Sequence, residues 1–95
     1  MGCCGLQGVS NDISYEIAVS DITCSRCVAR VKGSISSSTG ALIYDFKADY
    51  RAKTGVFYVL SRREISWDYV EKALIEASKG TPHNYRILYI KRLNL

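Results

Sequence analysis

Residues 14–31, SYEIAVSDITCSRCVARV, contain the change in apolar spacing that decides the fold. In the first half apolar and polar side chains alternate, and one face carries Tyr15, Ile17 and Val19. A period of two predicts a strand with one buried face. After the loop 21–25 the spacing becomes helical, with apolar positions at Cys27 or Val28, Val31 and Ile35. This predicts a helix from Arg26 to about Ser37, with Ser25 as its N-cap and Gly40 just beyond its end.

The rest of the chain continues this exchange of strand and helix patterns. Alternating residues predict strands over 41–50 and 56–60, and the turn 51–55 between them makes a hairpin. On the first of these strands one face is predicted to carry Leu42, Tyr44, Phe46 and Ala48. Ser66 is the predicted N-cap of a second helix from Trp67 to about Lys79, and a last strand runs from Tyr85 to Leu93.

The predicted order of elements is βαββαβ, in the α+β class. Because each helix has only one apolar stripe, both are expected to cover one face of a four-stranded antiparallel sheet. This arrangement is the ferredoxin-like sandwich. We divide the chain into a flexible N-terminal arm, residues 1–12, which carries Cys3 and Cys4, and a folded domain, residues 13–95.

Length and composition limit the functions that the chain can have. Its 95 residues allow one domain, and a hydrophobic fraction of 47% with a charged fraction of 23% is typical of globular proteins. We find no apolar run long enough for a membrane span and no secretory signal, so we expect a cytoplasmic protein with reduced cysteines. The net charge of +4 suits an acidic protein surface, a nucleic acid or an anionic membrane. A single histidine, without paired acids or a phosphate-binding glycine loop, argues against an enzyme.

The pair Cys24 and Cys27 is the strongest functional signal in the chain. Cys24 lies in the predicted loop and Cys27 in the first helical turn, where the partial positive charge of a helix N-terminus favours thiolates. Arg26, between them, acts in the same direction. Thiolates are soft ligands that select Cu(I), Zn(II) and similar ions. A site with two thiolates leaves room for a third from a partner, which permits transfer by ligand exchange.

From Ser14 to about Arg92 the chain resembles the heavy-metal-associated domain, the fold of copper chaperones and of the N-terminal modules of copper-transporting ATPases. The family signature is Gly-Met-Thr-Cys-x-x-Cys, and here it reads DITCSRC, residues 21–27. The resemblance implies a Cu(I) metallochaperone with Cys24 and Cys27 as ligands, and Zn(II) or Hg(II) as other ions. The implied partner is a metal-transporting ATPase, another acceptor with a similar site, or a second copy in a metal-bridged homodimer. Nucleic acid is not expected.

The resemblance also puts the loop before the last strand beside the metal-binding loop. In this chain it covers residues 79–84, where Lys79 can neutralise an anionic metal complex and His83 can be a third ligand or an exposed loop residue. Asp21 stands where the family has glycine, and a carboxylate there can raise thiol pKa values or alter the choice of metal. Ile22 replaces the family's methionine. Three basic residues of the first helix would steer the protein to an acidic patch on its target: Arg26, Arg30 and Lys32.

Cys3 and Cys4 leave three interpretations open. They can be unpaired thiols of a mobile arm, additional metal ligands in the same chain or across a dimer, or lipidation sites. Adjacent cysteines seldom hold one ion well through both sulfurs. The myristoylation pattern requires Ser or Thr at the position that Leu6 occupies.

Other functions of the Cys24–Cys27 pair also remain open. A dithiol redox protein has Cys-x-x-Cys at a helix start, but thioredoxin-like sites face the pair with a cis-proline, and Pro82 lies in a different context. An RNA-recognition motif shares the βαββαβ order, and its strand-three signature fits Tyr58 but not Val56. Both cysteines can also be small core residues, although a position between loop and helix argues against their full burial.

Overall fold

Four strands and two helices make up residues 12–93, the part of the chain that this computed structural model describes. In chain order they are β1 (Ile13–Ser20), α1 (Ser25–Thr39), β2 (Leu42–Asp49), β3 (Thr54–Ser61), α2 (Trp67–Ser78) and β4 (Arg86–Arg92). The sheet is antiparallel with the strand order β2-β3-β1-β4. The predicted ferredoxin-like βαββαβ sandwich is confirmed. In residues 12–93 neither helix is long and apolar enough to cross a membrane.

The core lies between the two helices and one face of the sheet. Its strand residues occupy alternate positions of β1 and β3, and its helix residues come from the predicted apolar stripes. Fully buried members are Ile17, Val19, Phe57 and Val59 on the strands and Val31, Ile35, Val70 and Leu74 on the helices. Since burial of one such side chain stabilises the fold by about 1.5–3 kcal/mol, this cluster provides most of the stability of the sandwich.

Helix α1 extends beyond the predicted limits at both ends. The prediction of Ser25 as N-cap is wrong, because Cys24 is the N-cap: its backbone is extended (φ −161°) and its carbonyl oxygen accepts the N–H of Cys27 at 3.0 Å. The helix then continues through the serine run to Thr39. It stops at Gly40, whose left-handed backbone (φ 72°) lets its N–H donate to the carbonyl of Ser36. The start of α1 is therefore set by the preceding loop and not by the side chain of a capping serine.

Helix α2 begins where the sequence predicts. Ser66 is its N-cap, and the Ser66 hydroxyl oxygen accepts a hydrogen bond of 3.2 Å from the N–H of Tyr69. The helix ends at Ser78, because Lys79 already has an extended backbone (ψ 134°) and Gly80 is left-handed (φ 74°). These two residues turn the chain into the segment 79–85, which we call the histidine loop.

A β-bulge at Tyr44 changes the side-chain faces of β2. Ile43 pairs with Val59 and Asp45 pairs with Tyr58, so Tyr44 is an extra residue in the strand. The predicted face of four alternating residues is therefore wrong. Bulges are common at sheet edges, and β2 is an edge strand. By their pairing, the residues that face the core are Ile43, Phe46 and Ala48, and those on the open face of the sheet include Leu42 and Tyr44.

The turn between β2 and β3 is shorter than predicted. β3 begins at Thr54 and not at Val56, because Thr54 pairs with both neighbouring strands. The carboxylate of Asp49 accepts hydrogen bonds of 3.1 and 3.2 Å from two backbone N–H groups of the turn. The loop between β1 and α1 packs on this short, hydrogen-bonded turn.

Ile22 anchors that loop, residues 21–24, which we call the cysteine loop. Its side chain is fully buried, and its backbone N–H donates to the carbonyl of Lys53 at 3.1 Å. The side chain packs on Gly55, where an added Cβ would lie 3.2 Å from Ile22 Cγ1. As expected from the sequence, an apolar Ile22 supplies the packing under the cysteines.

We expect Ile22→Ala to reduce the free energy of unfolding by about 2–5 kcal/mol, because it leaves a cavity between the cysteine loop and the hairpin. Ile22→Met, which nearly conserves volume, should lose less than about 1.5 kcal/mol. Urea unfolding monitored by circular dichroism measures both. The control is Ile75→Ala at a position that is 52% exposed. Equal losses for Ile22→Ala and Ile75→Ala would contradict the anchoring role.

Candidate metal centre

The two thiols of the Cys-x-x-Cys motif differ in exposure. Cys24 is exposed at the end of the cysteine loop, whereas Cys27, in the first turn of α1, is fully buried. The expectation that both avoid full burial is therefore wrong for Cys27, because it is the first residue of the core-facing stripe of α1. The two Sγ atoms are 3.9 Å apart, well beyond the length of about 2.05 Å of a disulfide bond. Both residues are free thiols.

A chain of hydrogen bonds connects the buried sulfur to a cation on α1. The guanidinium group of Arg30 donates to the hydroxyl oxygen of Tyr85, and the Tyr85 hydroxyl, as a hydrogen-bond donor, acts to lower the pKa of Cys27. Tyr85 is itself buried at the end of the histidine loop. Thr23 Oγ1 lies 3.6 Å from the same sulfur. Cys27 is therefore surrounded by groups that can stabilise a negative charge on sulfur.

These contacts decide the charge of Cys27. Burial alone raises the pKa of the Cys27 thiol, but hydrogen bonds from Tyr85 and Thr23 outweigh burial and lower the pKa to about 6. Burial and the bond to Cys27 raise the pKa of Tyr85 to about 12. At neutral pH the structure therefore favours a buried thiolate that accepts a hydrogen bond from a neutral phenol.

The histidine loop brings His83 against the same sulfur. Its Nε2 atom lies 3.6 Å from Cys27 Sγ, and its ring stacks on Tyr85 with centroids 5.5 Å apart. At the other side of the ring, Nδ1 lies 3.4 Å from Oδ2 of Asp21. That carboxylate oxygen also accepts a hydrogen bond of 2.7 Å from the N–H of Asn84. His83 is thus held between the carboxylate and the buried thiol.

Asp21 has a left-handed backbone, with φ 67°. This region favours glycine, and Asp and Asn are the other residues that tolerate it best. The signature of the heavy-metal-associated domain has glycine here, so Asp21 keeps the required backbone and adds a carboxylate. Sequence reasoning could not find the target of that carboxylate, because the bonded N–H is 63 residues away along the chain.

The other predicted site residues are placed as follows. The ammonium of Lys79 forms an ion pair of 2.5 Å with Glu76, and both side chains are largely exposed. Arg26 is exposed on the first turn of α1. Cys3 and Cys4 lie outside the described residues. Among the additional site residues that lie within 12–93, His83 contacts Cys27 and Asp21 contacts His83.

Arg30 and Tyr85 are the site residues that the sequence analysis missed. From the sequence, Arg30 is predicted to steer the protein to an acidic partner, and Tyr85 is predicted only to begin the last strand. The distance of each residue along the sequence from a predicted site residue could have indicated its place in the site. Arg30 lies one helical turn after Cys27, and Tyr85 follows His83 by two residues, the spacing that puts strand side chains on one face.

Within residues 12–93, the side chains that could bind a metal do not form a complete set of ligands in the observed arrangement. Among residues 12–93, no three His, Cys, Asp or Glu side chains are arranged closely enough to hold a metal ion together. The sulfurs of Cys24 and Cys27 form one close pair, and Cys27 and His83 form another. Cys24 is exposed and has room to rotate, so its side chain can bring the two pairs together around an ion.

Comparison with known proteins supports the ferredoxin-like fold. No known family profile and no curated protein sequence matches the chain significantly. Among solved structures, oxidised MerP from Ralstonia metallidurans CH34 has 19% identity and a TM-score of 0.51, over 80% of this chain and 99% of that one. A heavy metal binding protein of Thermotoga maritima has 19% identity and a TM-score of 0.48, over 84% of this chain and 98% of that one. The likeness to MerP shows that the two chains share a ferredoxin-like fold.

The thiolate of Cys27 gives a prediction about pH. In a variant with Cys3→Ser, Cys4→Ser and Cys24→Ser, the ultraviolet absorbance of the remaining thiolate should appear with a midpoint near the pKa of about 6. Tyr85→Phe should raise this midpoint toward the ordinary thiol value of about 8.5, because it removes the hydroxyl donor. Since the folded pKa is lowered, the associated stability is present above the ordinary pKa and is lost as pH falls through about 6.

The matched control is Tyr44→Phe, which removes a hydroxyl group on the open face of the sheet and should leave the midpoint unchanged. A midpoint near the ordinary thiol value before any change at Tyr85 would contradict the assigned charge state.

Proposed function

We propose that this protein is a soft-metal carrier of the heavy-metal-associated type, and that Cys24 and Cys27 hold its cargo. The supporting observation is a pair of free thiols whose sulfurs are 3.9 Å apart at the N-terminus of a helix. Thiolates select soft ions such as Cu(I) and Zn(II), and Hg(II) belongs to the same class. We take Cu(I) as the first cargo, because two thiolates suffice for this ion and the helix N-terminus stabilises the resulting anionic complex.

The difference in exposure gives the two thiols different parts in metal transfer. Cys27 is buried and bonded to Tyr85, so it keeps the ion on the protein. Cys24 is at the surface, where a thiolate of a partner can reach the ion. The partner's thiolate binds first as a third ligand. The sulfur of Cys24 then leaves and takes up a proton from water. A second thiolate of the partner replaces the sulfur of Cys27, so the ion changes protein without being released and without a change of oxidation state.

The partner that we propose is a metal-transporting ATPase or another acceptor with a similar thiol pair. Arg26 is exposed next to the pair and can meet an acidic surface. The other two basic residues considered for steering have contacts within the protein: Arg30 donates to Tyr85, and the ammonium of Lys32 lies 5.0 Å from the ring centre of Phe46. A metal-bridged homodimer would use the same exposed thiol. Action in the cytoplasm and the absence of enzymatic activity remain predictions.

RNA binding is an alternative that draws on the open face of the sheet. Tyr44 and Tyr58 lie there with ring centroids 6.4 Å apart, and Tyr89 donates a hydrogen bond to Glu16. Aromatic rings on a sheet can stack on unpaired bases. Acidic and basic residues are balanced on this face, however, so it offers a polyanion little attraction: Glu16, Asp45, Lys47 and Lys91.

Dithiol redox chemistry is the other alternative, and it uses the same sulfurs. A small rotation of the exposed Cys24 would bring its sulfur within bonding distance of Cys27, with two electrons passing to an oxidant such as a small disulfide. The MerP structure is of an oxidised form. In the carrier proposed here such a disulfide would remove both ligands, so metal binding is tested on reduced protein.

We expect Cys24→Ser and Cys27→Ser each to abolish stoichiometric Cu(I) binding, because each leaves a single thiolate at the site. The far-ultraviolet circular dichroism should stay that of the wild type. The measurement is a competition titration of reduced protein with Cu(I), Zn(II) and Hg(II) against a chromophoric chelator. Ser25→Ala, between the two cysteines, is the matched control and should bind Cu(I) as the wild type does.

Unchanged Cu(I) binding by both cysteine variants would refute the proposal. A chain that lacks residues 1–12 tests Cys3 and Cys4, since a lower affinity on truncation would show that they participate. Absence of metal binding together with tight binding of single-stranded RNA would favour the alternative on the open sheet face.

A further inference from the structure

The contact between the cysteine loop and the histidine loop passes through the carboxylate of Asp21. Its Oδ2 atom accepts the N–H of Asn84 at 2.7 Å and lies 3.4 Å from Nδ1 of His83. The side chains of Asp21 and His83 are partly shielded from water, with 32% of the Asp21 surface and 22% of the His83 surface exposed. The two loops are therefore joined at the point where the candidate metal site opens to the solvent.

This contact fixes which nitrogen of His83 faces the thiols. With a metal ion on Nε2, the proton of the neutral ring is on Nδ1, which faces the carboxylate of Asp21 at 3.4 Å. Nε2 is the atom that lies 3.6 Å from Cys27 Sγ. Histidines that bind metals commonly donate their other ring N–H to a carboxylate, which sets the tautomer and the ring orientation. The Asp21–His83 pair has this arrangement.

Two of the three separations between the donor atoms already match those of a metal site with three protein ligands. With Zn–S distances of about 2.3 Å and Zn–N distances of about 2.0–2.1 Å, ligand atoms around one ion are about 3.6–4.0 Å apart. The two measured separations, 3.9 Å between the sulfurs and 3.6 Å from Cys27 Sγ to His83 Nε2, fall in this range. A rotation of the exposed Cys24 side chain would complete the triangle.

The backbone does not require a carboxylate at position 21. Its left-handed φ of 67° would suit glycine at least as well. The side chain of Asp21 is therefore present for its contacts, and those contacts are with the histidine loop.

We propose that Asp21 is a positioning residue that makes His83 a third ligand, beside Cys24 and Cys27, and thereby extends the cargo to divalent ions of the Zn(II) type. This inference rests on the proposed function as a soft-metal carrier. Cu(I) is satisfied by two thiolates, whereas Zn(II) prefers four ligands of nitrogen and sulfur. The imidazole thus raises the affinity for Zn(II) much more than that for Cu(I). The fourth position is left for water or for a thiolate of the partner.

The test compares Zn(II) and Cu(I) affinities of the reduced full chain and two variants. Asp21→Gly keeps the left-handed backbone and removes the carboxylate, and His83→Phe keeps a ring against Tyr85 and removes both nitrogens. We expect each to reduce the Zn(II) affinity by about 10- to 100-fold and to leave the Cu(I) affinity unchanged. Glu71→Gln, on the exposed surface of α2, is the control for the change in net charge and should alter neither affinity.

The nitrogen of His83 that binds Zn(II) gives a readout that a purely structural role of Asp21 would not change. Since the chain has one histidine, its imidazole nitrogens can be assigned without ambiguity in a long-range ¹H–¹⁵N spectrum. In the Zn(II)-bound wild type the spectrum should show the metal on Nε2 and the proton on Nδ1. Asp21→Gly should lose this preference, with the imidazole bound through Nδ1 or left unbound in part of the protein.

A double variant tests whether Asp21 acts through His83. In that case Asp21→Gly has no further effect on Zn(II) affinity when His83→Phe is already present. Additive losses, unchanged Zn(II) affinity in both single variants, or Zn(II) bound through Nδ1 in the wild type would overturn the inference. If Cu(I) still binds through the two cysteines, the carrier function stands without it. If no metal binds to the wild type, both fail.

Discussion

The stabilisation of a negative charge on the buried sulfur of Cys27 is the constraint on which the rest of the site depends. A thiolate in the core is unfavourable unless polar groups replace the lost water. Tyr85 supplies such a polar group from the end of the histidine loop, and Arg30, on α1, donates a hydrogen bond to the phenol. The charge on sulfur thus holds together two elements that are far apart in the sequence. It also leaves Cys27 as a ligand that needs no proton removed near neutral pH before it can bind a soft ion.

The unequal environments of Cys24 and Cys27 follow from the geometry of a helix that starts at the edge of a core. Cys24 is the N-cap and points away from the sandwich, while Cys27 begins the stripe that faces it. One thiol is therefore fixed and charged, and the other can move. A carrier needs both properties, because the fixed ligand retains the ion while the mobile ligand exchanges with a partner. Two equally buried thiols would retain the ion, and two equally exposed ones would lose it to solvent thiols.

Features determined by neighbouring residues were predictable from the sequence. The order of the elements, the Ser66 cap and the turn at Gly40 follow from periodicity and from the φ values that each residue allows. The bulge at Tyr44 was not predictable, because an extra residue in an edge strand leaves the alternating pattern intact while reversing the faces beyond it. The bond from Arg30 to Tyr85 also escaped prediction, since the two residues are 55 residues apart and meet only when the histidine loop folds against α1.

Asp21 illustrates how a change at one position of a loop can add chemistry without altering the fold. A left-handed residue must be glycine or one of the few residues that tolerate positive φ, and aspartate is among them. Replacing glycine by aspartate there adds an acceptor at the mouth of the site, and the nearest donors are on the histidine loop. The backbone N–H of Asn84 joins that loop to the carboxylate, and the imidazole of His83 lies with Nδ1 toward Asp21 and Nε2 toward Cys27. Under the proposed function, the choice of cargo would be set by a carboxylate that need not touch the ion, through the ligand that it orients.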